Sequence, residues 1–255
     1  MRWISYAALL CVLTAGWVSA QTSPTFNREM VVIDPAHGGT DGGTRINDHL
    51  EEKEITLALA ARLRSLLSAR GFTVVSTRQD DLGSRPVALL TNDQRAEAAN
   101  KARAVACLVI HASASGNGIS IGTSALGSSI AAVPQNVPVT HAMSGAVPWD
   151  QAQEAYVAQS LGLASQVGAA LIRAKVPVMT GRIAMRPLDN MTCPAIAIEV
   201  SELHSGSNGT QVSDEQYQQR VAEAIAGALV LWKNQAQQPE YVPVPIAGPR
   251  PGGGA

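Results

Sequence analysis

Three apolar runs end in or just before a residue able to do acid, base or metal chemistry, and a fourth such residue opens the helical pattern after the glycine loop. His37 follows the run that ends at Asp34, at the mouth of "HGGTDGG"; Glu52 lies in "LEEKEITL"; His111 ends "CLVIH"; Glu199 ends "CPAIAIE". Two imidazoles and a carboxylate suit Zn²⁺ with one position left for water. A further carboxylate beside them suits a general base. Each residue also has a plainer reading. A histidine at a strand end is often just a hydrogen-bonded structural residue, and Glu52 at a helix start is favoured by the helix dipole. The glycine run is compatible with an anion-binding nest. It is not a P-loop, since no Gly-Lys-Ser/Thr follows, and it does not match GxGxxG. Spacing alone leaves these alternatives open.

The elements that must position these residues are legible as alternating strands and helices. Strand-like runs fall at Met30–Asp34, Phe72–Thr77, Val105–His111, Ile119–Leu126 and Ala195–Val200. Ile55, Leu59, Leu63, Leu66 and Leu67 recur at helical spacing, and Gly71 stops that helix. Thr91 with Gln94 forms a capping box for a helix carrying Arg95 and Asn100. Residues Asp150 to Lys175 read as one long helix. Ser213 with Gln216 reads as the cap of a last helix with the stripe Tyr217, Val221, Ile225, Leu229 and Trp232. This alternation predicts an α/β fold: a single three-layer domain, a mostly parallel twisted sheet with helices on both faces. In such sheets, sites lie outside the carboxyl ends of the strands. Residues 127 to 149 lack periodicity and read as a long loop.

Composition bounds the rest. A chain of 255 residues, 46% hydrophobic and 15% charged, is enough for one α/β domain with a complete core. A net charge of −1 gives no electrostatic case for nucleic acid as a partner. Arg2, the apolar run Ile4–Val18 and the small-residue site Val18-Ser19-Ala20 read as a signal peptide over residues 1–20, leaving Gln21 as the new N-terminus. Secretion is the expectation, with no stable membrane insertion after cleavage. Residues 21–29 read as a short lead and 30–236 as one folded domain that carries His37, Glu52, His111 and Glu199. Residues 237–255, rich in proline and glycine, read as a disordered tail. Cys107 and Cys193 remain after cleavage. A disulfide is possible in an oxidising compartment, but each lies in or beside an apolar strand, and two buried free thiols are the expectation.

Six blocks occur in order over roughly residues 30 to 205: "VVIDPAHGGTDGG", "EEKEITLALAARL", "GFTVVSTRQDD", "QRAEAANKARA", "CLVIHASAS" and "CPAIAIEVSEL". Together they resemble the type 3, zinc-dependent N-acetylmuramoyl-L-alanine amidases that cleave the cell wall. The resemblance implies that His37, Glu52 and His111 hold Zn²⁺ and that Glu199 is the catalytic carboxylate. It also implies that Arg186, in "RIAMRPLDNMTCP", is a residue that orients the substrate, with a structural salt bridge as its alternative. The implied substrate is peptidoglycan, cut at the amide between N-acetylmuramic acid and L-alanine, and any protein activator is left unnamed.

The chain departs from the family pattern at three places. Ala36 replaces the usual glycine before the histidine and needs an ordinary backbone angle there. Ser113 stands where asparagine is usual after the His-Ala pair. After Glu199 the chain reads "VSELHSGSN", without the usual aromatic and asparagine. His49, His141 and His204 match no family position and read as surface or loop residues, His204 being the one nearest the groove. Two other functions stay in view: a non-catalytic descendant that binds peptidoglycan or a partner, and a zinc hydrolase of another amide.

Overall fold

The computed structural model describes residues 27–81, 89–127, 148–203 and 211–237. The signal-peptide and tail readings, nearly all of the 127–149 loop, His141 and His204 lie outside the described residues. In chain order the elements are β1 (Asn27–Pro35), β2 (Arg45–Asn47), β3 (Leu50–Glu51), α1 (Glu52–Ser68), β4 (Thr73–Ser76), α2 (Asn92–Ala102), β5 (Ala104–Ala112) and β6 (Ile119–Ser124). A 3₁₀ stretch (Trp149–Tyr156), α3 (Val157–Arg173), β7 (Val178–Ile183), a 3₁₀ turn (Leu188–Asn190), β8 (Ala195–Val200) and α4 (Glu215–Gln237) complete them.

Six strands form one sheet in the order β4-β1-β5-β8-β6-β7, while β2 and β3 pair as a small separate ribbon. β4, β1, β5 and β8 run parallel; β6 lies antiparallel to β8 and parallel to β7. The mostly parallel sheet expected from the sequence is therefore present, with a reversed pair at one side. The central strand β5 is covered on both faces, which explains its nearly unbroken apolar run.

Alternation sorts the side chains into two cores. Val31, Ile33, Leu108, Ile110, Ile196 and Ile198 face α1, α3 and α4. Val32, Cys107, Val109, Ala195 and Ala197 face α2 and the turn that carries Leu188 and Met191. The stripe Ile55, Leu59, Leu63 and Leu67 on α1 is fully or almost fully buried, as its spacing predicts. On α4, Tyr217, Val221, Ile225 and Leu229 are buried, and Trp232 donates its indole N–H to the Val105 carbonyl at 2.9 Å.

Several expectations need correction. Asn27, Arg28 and Glu29, read as part of a lead, already belong to β1, because Asn27 pairs with Ala104. The strand β7 carries no alternation in its sequence, since it sits at the sheet edge with most of its residues exposed. The helix read as continuous from Asp150 is 3₁₀ through Tyr156 and becomes α-helical at Val157. There the buried Gln153 donates to the Met191 and Cys193 carbonyls and accepts from Ser160, so tertiary partners set the local geometry. The run from Trp149 to Arg173 is long and apolar enough to cross a membrane, yet Leu163, Val167 and Leu171 are packed in the core. Asp214, not Ser213, caps α4, accepting from the Tyr217 N–H at 2.7 Å. Cys107 and Cys193 form a disulfide rather than two free thiols. Cys107 pairs with Ala195 across β5 and β8 and donates its N–H to Pro194, which brings Cys193 alongside.

Candidate metal centre

The three parallel strands β1, β5 and β8 end together, and the proposed site lies at those ends. β1 leads into a loop in which His37 has φ +62°. A left-handed backbone is uncommon for a histidine, so the loop must be held from outside. Two buried arginines do this. Arg95, on α2, donates to the Asp34 carboxylate at 2.7 Å, to the Pro35 carbonyl at 2.9 Å and to the His37 carbonyl at 2.8 Å. Arg78, just after β4, donates to the Pro35, Ala36 and Lys53 carbonyls and to the Thr56 hydroxyl. These contacts give physical content to the "STR" and "QRAEAAN" blocks: both arginines clamp the backbone that aims His37.

The far side of the glycine run is pinned as well. Asp81 accepts from the Gly39 N–H at 2.8 Å, and Lys53 bridges the Gly39 carbonyl and the Asp81 carboxylate. Gly43, at φ +70°, passes so close to the site that a Cβ there would lie 2.6 Å from His37 Cδ2 and 2.7 Å from Glu52 Oε2. The glycine lets the loop backbone approach the side chains of the proposed ligands themselves.

Glu52 is the first residue of α1, whose start is capped by the Glu54 carboxylate accepting from the Glu51 N–H at 3.0 Å. The Glu52 side chain is buried between the two histidines. Its Oε2 lies 3.2 Å from His37 Nε2 and its Oε1 lies 2.8 Å from His111 Nδ1. The Thr44 and Ala112 N–H groups donate to the same carboxylate. Burial alone would raise the Glu52 pKa, but the hydrogen bonds from His111, His37 and the two backbone amides outweigh it and hold the carboxyl far below its usual range. The hydrogen bond to Glu52 raises the pKa of His37; burial opposes this and Asp41 adds to it. Asp41 lies on the other edge of the ring, its Oδ2 2.9 Å from His37 Nδ1.

One ligand atom from each of His37, Glu52 and His111 lies within 4.8 Å of the others. Two imidazole nitrogens and a buried anionic carboxylate form a donor set that fits a divalent metal with N/O preference. The sequence-derived trio is thus brought together. Glu199 joins them from β8, at the position paired with His111 on β5, and is exposed toward the same groove. That groove measures about 520 Å³ and runs from the trio past Ser120 and Glu199 to an apolar wall of Met179, Ile183 and Met185. Arg186 is exposed, lies outside the groove lining, and forms no ion pair among the described residues, so its structural alternative, a salt bridge, has no partner among them. His49 is exposed and is not among the convergent ligand atoms. Sequence reasoning missed Asp41 and the β7 wall. The "HGGTD" spacing was a usable signal for the first; nothing in "VMTGRI" pointed to the second.

Comparison with known proteins shows the family to which this fold belongs. A family model described as N-acetylmuramoyl-L-alanine amidase matches residues 31–230. The germination-specific N-acetylmuramoyl-L-alanine amidase of Bacillus subtilis (strain 168) is 40% identical over 58 residues, which are 23% of this chain and 24% of that one. The chain spans only about a quarter of the length of the first curated relatives it matches. Among solved structures, the amidase AmiC2 of Nostoc punctiforme superposes with a TM-score of 0.56 at 20% identity, covering 82% of this chain and 99% of that one. The catalytic domain of the amidase CwlV from Bacillus (Paenibacillus) polymyxa var. colistinus gives 0.57 at 23% identity, covering 81% and 98%. At these identities the two structures speak to the fold alone.

Proposed function

Because the chain belongs to the N-acetylmuramoyl-L-alanine amidase family, we propose that it hydrolyses the amide between N-acetylmuramic acid and L-alanine in peptidoglycan, with Zn²⁺ held by His37, Glu52 and His111. The observation that carries this reading is the convergence of those three ligand atoms within 4.8 Å at a groove that also holds Glu199. A bound Zn²⁺ supplies a Lewis acid for the scissile carbonyl and a water of lowered pKa.

The chain's own groups do the remaining work. Glu199 accepts the proton of the attacking water and returns it to the departing amine nitrogen. Met179, Ile183 and Met185 give one side of the groove an apolar surface for the substrate to pack against. Arg186, next to Met185 in sequence, is proposed as no more than a charge that orients the substrate from outside the lining. The apolar leader read at residues 1–20 supports secretion, and a periplasmic site would place the enzyme against its substrate. Retention of all four chemical residues disfavours the non-catalytic reading.

Elemental analysis of the purified mature chain, combined with digestion of sacculi, tests the proposal. About one zinc per chain and release of stem peptides with free L-alanine amino groups are expected. Glycan or peptide-bond cleavage products instead, or no product from zinc-loaded protein, would replace this function with another.

A further inference from the structure

Of the three proposed ligands, His37 alone sits at a positive φ, +62°, a region that few histidines occupy, and its ring is carried by a loop rather than by a strand or helix. Imidazole also has two nitrogens, and only one of them faces Glu52. Something must decide which nitrogen carries the proton and how the ring is turned. Asp41 is placed to decide both. Its Oδ2 lies 2.9 Å from His37 Nδ1, while His37 Nε2 on the opposite ring edge lies 3.2 Å from Glu52 Oε2. Asp41 therefore stands behind the ring, outside the group of convergent ligand atoms.

The orientation of Asp41 does not depend on the histidine. Its Oδ1 accepts from the Gly43 N–H at 3.1 Å. Its backbone exchanges two hydrogen bonds with Gly38, from the Gly38 N–H to the Asp41 carbonyl at 2.8 Å and back at 3.1 Å. The carboxylate is thus fixed within a four-residue turn that begins next to His37. Its side chain is 52% exposed, and an ion pair of that exposure contributes little to folding stability. A stabilising role does not account for so well anchored a group.

We propose that Asp41 is a positioning residue: by accepting from Nδ1–H it fixes the tautomer and rotation of His37, so that the Nε2 lone pair is presented to the metal. The inference rests on the metal reading given above. A carboxylate behind a ligating histidine also raises the basicity of the ligand, and losing such a partner typically weakens metal affinity about 10- to 100-fold.

The test compares Asp41→Ala, Asp41→Asn and His111→Ala in the full mature chain, measuring zinc affinity by chelator competition and the His37 ring by ¹⁵N-resolved NMR of the zinc-loaded protein. Asp41→Ala should bind zinc about 10- to 100-fold more weakly and lose the slowly exchanging Nδ1–H proton of His37, with metal-free thermal stability unchanged. Asp41→Asn keeps an acceptor oxygen and should recover both the proton signal and much of the affinity. Unchanged affinity in Asp41→Ala overturns the proposal, as does weakened binding with the Nδ1–H signal intact, or an Asn variant no better than Ala. His111→Ala separates this failure from that of the metal site itself: if it too binds zinc like the parent, the ligand trio is wrong rather than the role of Asp41.

Discussion

His111 and Glu199 occupy paired positions on the adjacent parallel strands β5 and β8, so the sheet register itself sets a proposed metal ligand beside the proposed base. Glu199 is not needed to complete a three-ligand set. Glu199→Gln keeps size and hydrogen bonding but removes the proton acceptor. The variant should fold, keep its zinc, and lose about 10²- to 10⁴-fold in hydrolytic rate. Loss of zinc in this variant would make Glu199 a ligand, and full activity would remove it from the mechanism.

Two glycines at positive φ, Gly43 in the first loop and Gly71 after α1, meet two kinds of requirement. Gly43 combines a positive φ with a Cβ position that falls on the His37 ring and the Glu52 carboxylate, whereas Gly71 has φ +81° and open space around it. Gly43→Ala should therefore displace the ligands and weaken zinc binding strongly. Gly71→Ala should cost only the backbone strain, about 1 kcal/mol, and leave the metal untouched. Chelator competition and thermal melts on both variants provide the check. Equal metal affinity in the two would mean that the loop relaxes around Gly43.

Much of this was legible in the sequence because the informative segments are central. β1, β5 and β8 are buried on both faces, so their composition alone marks them, and the polar residues that end them stand out. What was not legible depends on partners far away in the chain. Arg78 and Arg95 look like ordinary helix or strand-end charges until the fold brings both against the Pro35 carbonyl. β7 is an edge strand with an exposed face and no pattern to read. Gln153 interrupts a helix-like sequence only through carbonyls nearly forty residues away.

The Asp34–Arg95 pair is buried on both sides, with Arg95 Nη1 2.7 Å from Asp34 Oδ1. Removing one member leaves the other charge without its partner, at a cost of about 3–5 kcal/mol. Arg95→Met should show a loss of that order in denaturant unfolding, and it should also weaken zinc binding because the His37 carbonyl loses its donor. A stability change below about 1 kcal/mol would mean that the pair is better hydrated than its burial indicates.

Metal binding should depend on pH in a stated direction. A ligating imidazole must be neutral, and in the metal-free protein the hydrogen bond to Glu52 raises the His37 pKa, with burial opposing and Asp41 assisting. A raised histidine pKa contributes stability that is present below the unfolded value and lost as pH rises through the folded one. The metal-free protein should lose this contribution upward from about pH 6.5, while zinc affinity rises over the same window. Chelator competition at a series of pH values reads the second effect directly. Affinity that stays flat there would show that His37 does not carry the proton which zinc displaces.

The disulfide closes a loop of 86 residues between β5 and the segment entering β8, the same two strands that end in His111 and Glu199. Cross-links over loops of this size typically contribute about 2–5 kcal/mol, through loss of unfolded-state freedom on the chain-entropy account. Both cysteines are fully buried, so the bond is shielded from reductant while the chain stays folded. The unreduced mature protein, unfolded in denaturant, should therefore show no titratable thiol. The double variant Cys107→Ser, Cys193→Ser should unfold at lower denaturant by an amount equivalent to that range, with zinc affinity preserved because neither sulfur touches the ligands. Two reactive thiols in the unreduced protein would restore the free-thiol expectation. Loss of zinc with little loss of stability would show that the cross-link acts on the His111–Glu199 register rather than on the unfolded chain.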